Sequence, residues 1–218
     1  VDTATKTNET HTVNDALVNL GGHTLAFNRV ITEQTAGQGD AANAQFGNWQ
    51  MPLLDTRLTT DQPATLESGA TAPWRDGARV WLTVPADIAD PQAGYANLRF
   101  TLGTVAAGST EPGAPRLWNA SFGSDQGWSL QASSDVTDDG NAQAEALVRE
   151  GGNLYSQRTG MPWVPAAYTL IGPDGTRYSL DAQGHITRVS FSDGKAWLVS
   201  DAGIAAITET GLAERLDI

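Results

Sequence analysis

The densest group of oxygen ligands in the 218-residue sequence is Asp135-Val136-Thr137-Asp138-Asp139-Gly140-Asn141. Asp135, Asp138, Asp139 and Asn141 would offer carboxylate and amide oxygens to a hard cation, with Gly140 where a calcium loop bends. Aligned on that glycine, the twelfth position holds Ala146 instead of a bidentate Glu, and Glu145 falls one residue short. A solvated acidic turn is therefore the preferred reading, and calcium is the one cofactor left open. A second chemistry is carried by seven tryptophans, at 49, 74, 81, 118, 128, 163 and 197, whose planes can stack on sugar rings or fill a core. Trp49, Trp74 and Trp163 lie near Gly or Pro, as in Gly160-Met161-Pro162-Trp163-Val164-Pro165, and are the candidates for an exposed carbohydrate-binding face. Trp81, between Val80 and Leu82, and Trp128, beside Leu130, read as structural.

Signatures of catalysis are missing from the sequence. There is no Gly-x-Ser-x-Gly elbow, phosphate loop, His-Glu-x-x-His or dinucleotide fingerprint. Zero cysteines exclude disulfides, thiolate metal sites and a cysteine nucleophile, and three histidines, at 11, 23 and 185, are too few for a His-rich metal centre. His185 follows a turn at a strand start, where bonding to backbone or water is expected. A glycosidase-like enzyme, needing two facing carboxylates among 25 Asp and Glu, stands as the remote reading.

Thirteen Lys and Arg against those 25 acids leave a net charge of −12, the wrong sign for nucleic acid or an anionic membrane surface. No apolar stretch approaches the roughly 18 to 20 residues of a membrane span. The chain begins with Val and shows no basic-then-apolar leader, so a processed form or an excised fragment is expected. Charged residues at 17%, with 23 Gly and 10 Pro, suit an extracellular or cell-surface all-β protein rich in turns.

Residues 1–12 are polar and aperiodic, and residues 1–22 read as a polar arm able to act as an exchanged strand. Its apolar positions Val13, Leu17, Val18 and Leu20 are the candidates for assembly by strand addition. Leu17 to Leu20, the Gly21-Gly22 pair and Thr24 to Ile31 read as a hairpin with a Gly-Gly turn. The stretch 33–48 carries Gly and small polar residues without a period and reads as a surface loop. Arg79 to Val84 and Ala96 to Leu102 alternate as two strands of a sandwich-like β-rich domain over 23–107. GSTEPGAP, inside 108–117, reads as a linker. Ala142 to Glu150 fits a helix and a strand equally well before Gly151-Gly152.

The C-terminal region is punctuated at nearly constant intervals: Gly175, Gly194 and Gly211 lie 19 and 17 residues apart. Asp174-Gly175 and Asp193-Gly194 predict tight hairpins with both central residues at positive φ, alternating with a second turn kind at DAQG, 181–184, and SDAG, 200–203. The strands would be Tyr168 to Ile171, Thr176 to Leu180, His185 to Phe191, Lys195 to Val199 and Ile204 to Ile207. In the second, Thr176, Tyr178 and Leu180 share a face. In the third, Ile186 and then Val189 and Phe191 break phase by one residue, as a β-bulge does.

Tyr178-Ser179-Leu180-Asp181-Ala182-Gln183-Gly184-His185-Ile186, preceded by PDGTR and followed by SDG, resembles a YD repeat of Rhs and teneurin-type proteins. FGSDQGWSL, 122–130, is similar to the segment preceding the first repeats of bacterial Rhs proteins. The resemblance covers roughly residues 118–211, with Leu180 where a second tyrosine is usual and His185 where arginine is usual. It implies a secreted or surface-exposed structural β element over 118–218, the scaffold or shell part of such a protein. The expectation is thus an all-β chain, an antiparallel sandwich-like N-terminal part followed by a YD-repeat-like hairpin meander. It would serve as a non-enzymatic assembly element joined to copies of itself or to other surface proteins, with carbohydrate binding as the alternative.

Overall fold

The computed structural model describes residues 10–32, 49–50, 53–107, 116–134, 144–208 and 211–217, which form antiparallel sheets without a helix. A small sheet aligns β1 (Thr10–Leu20), β2 (His23–Thr32) and β3 (Trp49–Gln50). A second contains β4 (Arg57–Thr60), β5 (Arg79–Pro85), β6 (Tyr95–Ala107), β7 (Leu117–Phe122), β9 (Leu147–Glu150) and β10 (Asn153–Ser156). Its spatial order is β10-β9-β7-β6-β5-β4. The third is a meander of β11 (Ala167–Ile171), β12 (Arg177–Asp181), β13 (Ile186–Ser190), β14 (Ala196–Ser200), β15 (Gly203–Thr208) and β16 (Gly211–Asp217). Each of these strands pairs with the next, and β8 (Ser129–Ser133) joins alongside β11.

Period 2 decides which residues meet. On β5, Val80, Leu82 and Val84 point inward while Arg79 and Trp81 face solvent, and β6 repeats the pattern with Leu98, Phe100 and Leu102. On the meander, Tyr168, Leu170, Tyr178, Leu180, Val189 and Trp197 are buried, as is Thr176 on the face it was expected to share. Both inner faces feed one hydrophobic cluster. The layer opposing the N-terminal strands is therefore the C-terminal meander itself, and the two halves of the sequence complete one core. Strands on either side of the expected linker, β6 and β7, pair directly from Leu102↔Phe122 to Ala107↔Leu117. Residues 108–115 and 33–48 lie outside the described residues.

The end of the segment that fitted both helix and strand is β9, because Leu147 enters the core and Gly151-Gly152, at φ +57° and +87°, closes a two-residue hairpin onto β10; residues 142–143 lie outside the described residues. Gly21-Gly22, at +62° and +87°, closes β1 onto β2 as expected.

Three of the meander turns are of one kind, so DAQG differs from expectation, whereas SDAG stands apart as a two-residue hairpin with Ser200 opposite Gly203. Gly175 N–H donates to Gly172 O, Gly184 N–H to Asp181 O and Gly194 N–H to Phe191 O, each closing a four-residue turn whose last residue is the glycine. The glycines have φ of +85°, +89° and +85°, whereas Gln126 is the one non-glycine at positive φ among the described residues. These are type I turns followed by a left-handed glycine, so Asp174 and Asp193 need no positive φ. Their carboxylates instead accept the N–H groups of Thr176 (3.0 Å) and Lys195 (3.2 Å). The expected bulge is present: Ser179 opposes Arg188 but Leu180 opposes Ile186, leaving Thr187 over.

Candidate assembly surface

The β1–β2 hairpin is fixed to the sandwich by its turn. Leu20 and Leu25 are buried in the common core, and Phe27 packs against it. Trp197 Nε1–H donates to Leu20 O at 2.9 Å in a buried setting, and Gly21 N–H donates to the Glu214 carboxylate at 2.7 Å. His23 lies flat on Phe191, ring centroids 3.6 Å apart and 5° from parallel, with Trp197 edge-on at 6.4 Å. Its Nε2 meets Asp193 at 3.1 Å, and Lys195 Nζ reaches the same carboxylate at 3.2 Å. Some desolvation pushes the Asp193 carboxyl up, but the Lys195 backbone N–H, its ammonium and His23 together hold it below the usual range. Further along, Ala26 N–H donates to Ile88 O at 2.8 Å.

Beyond these anchors β1 changes character. Val13 is 38% exposed and Leu17 58% exposed, and Ala16 is exposed as well. Val18 is half-buried. Of the four residues expected to mediate assembly, Val13 and Leu17 face solvent, whereas Leu20 is a core residue and an anchor. Among the described residues β1 pairs with β2 alone and forms the edge of its sheet. Its ladder is interrupted between Asn14 and Ala16, where Asp15 is the extra residue. A bulge with a charge at mid-strand is how edge strands resist indiscriminate pairing. The two uninterrupted runs, Thr10–Asn14 and Ala16–Leu20, are left as the segments able to accept a neighbour.

The edges of the body are protected in other ways. Beside β10, Leu154 N–H donates to Trp74 O and Trp163 N–H donates to Leu154 O, both at 2.9 Å. Beside β4, Leu58 N–H donates to Gln183 O in the β12–β13 turn at 2.9 Å. The β16 edge presents exposed Glu214, Arg215 and Asp217.

The cover over β10 corrects the sugar-binding assignment. Trp74 and Trp163 do lie in irregular segments, but those segments cap a sheet edge, and their indoles are buried, 7% and 3% exposed. They meet edge to face at 6.2 Å, and Trp163 Nε1–H donates to Ser134 Oγ at 2.7 Å. Neither offers a free plane. Of Trp49 the structure describes only its place in β3, pairing with Ile31. Trp128 is buried as expected, but Trp81 is 38% exposed, so its apolar sequence neighbours misled: in a strand they point to the opposite face. Asp135, Asp138, Asp139 and Asn141 lie outside the described residues. Among the described residues no three His, Asp or Glu side chains cluster as a metal site would require. His185 bonds Asp181 through both its backbone N–H (2.9 Å) and Nδ1 (3.0 Å) within its own turn. No helix among the described residues is long and apolar enough to cross a membrane.

No protein-family model, curated protein or solved structure matches the chain.

Proposed function

We propose that this chain is a non-enzymatic structural and assembly protein of the extracellular space or cell surface, comparable in role to the scaffold part of YD-repeat proteins. It associates with copies of itself by strand addition at the β1 edge. The observation that carries the reading is the division of the hairpin: residues from Leu20 to Phe27 are keyed into the sandwich, while Val13 and Leu17 present aliphatic side chains to solvent from an edge strand. An added strand would bond the free backbone groups of one uninterrupted run and cover those side chains, the mode in which main-chain bonds supply affinity and side chains supply register. The repeat-like turns support the scaffold role, because Asp174, Asp181 and Asp193 bond backbone N–H groups within them and His185 bonds Asp181.

Light scattering coupled to size-exclusion chromatography tests this on the full chain. Leu17→Asp and the Val13→Asp/Leu17→Asp pair place charge on exposed positions of the edge strand, one on each face of the ribbon, without touching the anchors. The intact chain is expected to associate with rising concentration and the double variant to remain monomeric with an unchanged thermal midpoint. A monomeric intact chain, or a double variant that associates equally well, refutes the proposal. Deleting residues 1–22 would be a poorer test, since it removes Leu20 from the core.

A further inference from the structure

The outward face of the six-stranded sheet carries a second surface, independent of the hairpin. Cross-strand pairing fixes it as a grid with Trp81 at the centre. Thr59 and Arg99 stand directly opposite Trp81 on β4 and β6, Arg79 and Thr83 flank it along β5, Arg57, Thr101 and Asn97 fill three diagonals, and Asp61, whose N–H donates to Arg79 O, stands at the fourth. These positions alternate with the buried Val80, Leu82, Leu98 and Phe100, so the face rests on the core. By strand spacing and rise it measures about 10 Å by 13 Å across these residues.

Two features distinguish it from the rest of an acidic molecule. First, Arg57, Arg79 and Arg99 are all exposed, and none makes an ion pair among the described residues. Two carboxylates border the face and are held by backbone: Asp61 accepts Arg79 N–H at 2.8 Å and also feels the Arg79 charge, and Asp125 accepts Arg99 N–H at 2.7 Å. Second, Trp81 is 38% exposed, and among the described residues no guanidinium lies over its ring. Among the described residues the guanidinium groups that lie over an indole, those of Arg116 at 4.8 Å and Arg149 at 5.2 Å, are both on Trp118. Around Trp81, Thr83 Oγ1–H donates to Asn97 Oδ1 at 3.0 Å, and Thr59 and Thr101 add hydroxyls.

We propose that this face binds an acidic polysaccharide, a chain of sugar rings bearing carboxylate or sulfate groups. Trp81 stacks on the apolar face of one ring. Arg79 and Arg99 take acidic groups of the same or an adjacent ring through their planar, two-pronged donors, and Arg57 takes one further along. The threonine hydroxyls and the Asn97 amide bond ring hydroxyls. Nucleic acid is the less suitable occupant: single strands are gripped by several stacked aromatics and an extended basic groove, whereas this face has one aromatic on a chain of net charge −12. Fewer charges per unit length also lessen repulsion from the remaining acids.

Affinity electrophoresis and calorimetry of the full chain against polygalacturonate, dextran sulfate, unmodified dextran and a single-stranded oligonucleotide decide the matter. Binding is expected to at least one of the two acidic polymers, which separates carboxylate from sulfate recognition, and to neither dextran nor the oligonucleotide. Trp81→Ala should weaken it at least tenfold and Arg99→Gln or Arg79→Gln several-fold. All three positions are exposed, and unchanged circular dichroism and thermal midpoints would establish that the variants are folded. Rising salt should weaken binding of the intact chain more steeply than that of a triple Arg→Gln variant at 57, 79 and 99. The proposal is overturned if neither acidic polymer binds, if dextran or the oligonucleotide binds as tightly, or if folded Trp81→Ala retains full affinity.

Discussion

Replacing the last glycine of three meander turns by alanine should produce two different outcomes from one chemical change. Gly175, Gly184 and Gly194 have nearly the same φ, +85°, +89° and +85°, in the same hydrogen-bonded turn. An alanine there carries a left-handed penalty of about 1–2 kcal/mol wherever it is placed. At Gly175 and Gly194 a new Cβ meets nothing within 4 Å, so that penalty is the whole effect. At Gly184 the Cβ would collide with the Leu58 Cβ and N and lie 2.9 Å from Leu58 Cα, and backbone cannot rotate away. Leu58 N–H is held by Gln183 O at 2.9 Å, so relief by separation breaks the bond that joins the meander to the β4 edge. Overpacking adds about 1–3 kcal/mol and the unmade hydrogen bond about 1 kcal/mol or more. Gly184→Ala should therefore lose about 3–6 kcal/mol. For a chain of this length that lowers the melting midpoint by roughly 6–24 °C, against about 2–8 °C at the other two sites. Parallel thermal and urea melts of the three variants are the assay. A Gly184→Ala protein as stable as Gly175→Ala would show that the meander turn is not seated against β4.

Trp197→Phe keeps the ring contacts with Phe191 but removes the buried N–H that satisfies Leu20 O, so urea denaturation should show a loss of about 1–3 kcal/mol. Burial raises the phenol pKa of Tyr95, Tyr168 and Tyr178 well above its ordinary value, with the Asp55 charge adding to the effect at Tyr95 and the Asp174 and Asp87 charges at Tyr178. Because the folded values are the higher ones, the neutral phenols support the fold fully below about pH 10, and that support is lost as pH climbs toward the folded values. Ultraviolet titration should thus find three of the four tyrosines ionising together with loss of near-ultraviolet circular dichroism; independent ionisation of all four before unfolding would contradict the burial. At the hairpin, Leu17→Asp should reduce association while leaving the midpoint unchanged, and on the sheet face Trp81→Ala should reduce binding of an acidic polysaccharide with equally little effect on folding.

What could be read from the residues was whatever depends on near neighbours. The hairpin at Gly21-Gly22, the strands β5 and β6, every meander strand from β11 to β15 to within a residue or two, and the bulge at Thr187 are all written in local period and punctuation. The turn type was not, because Asp-Gly serves two geometries, and the bond from Asp174 Oδ1 to Thr176 N–H selects the one in which only glycine is left-handed.

Exposure of the tryptophans inverted for a related reason. Trp74 and Trp163 looked free because Pro and Gly surround them, yet an irregular segment is drawn inward when an unpaired edge, here β10, offers backbone partners. Trp81 looked buried between two aliphatic residues that, one step away on a strand, define the other side of the sheet. The same logic ties the two proposed surfaces together. A sandwich whose edges are capped by indole-bearing loops, by a seated turn and by charge has closed off ordinary routes to pairing. Apolar side chains are exposed elsewhere too, Met161 and Val105 among them, but two places join exposure to unused bonding capacity: the β1 edge beyond its anchors, with Val13 and Leu17 on its two faces, and the Trp81 face, whose three arginines make no ion pair among the described residues. If both are used, loss of one should leave the other intact. The Val13→Asp/Leu17→Asp protein should bind acidic polysaccharide per chain as the intact protein does, and Trp81→Ala should associate normally. Loss of both properties in either variant would mean that the two surfaces act as one and that the hairpin and the sheet face are not separate devices.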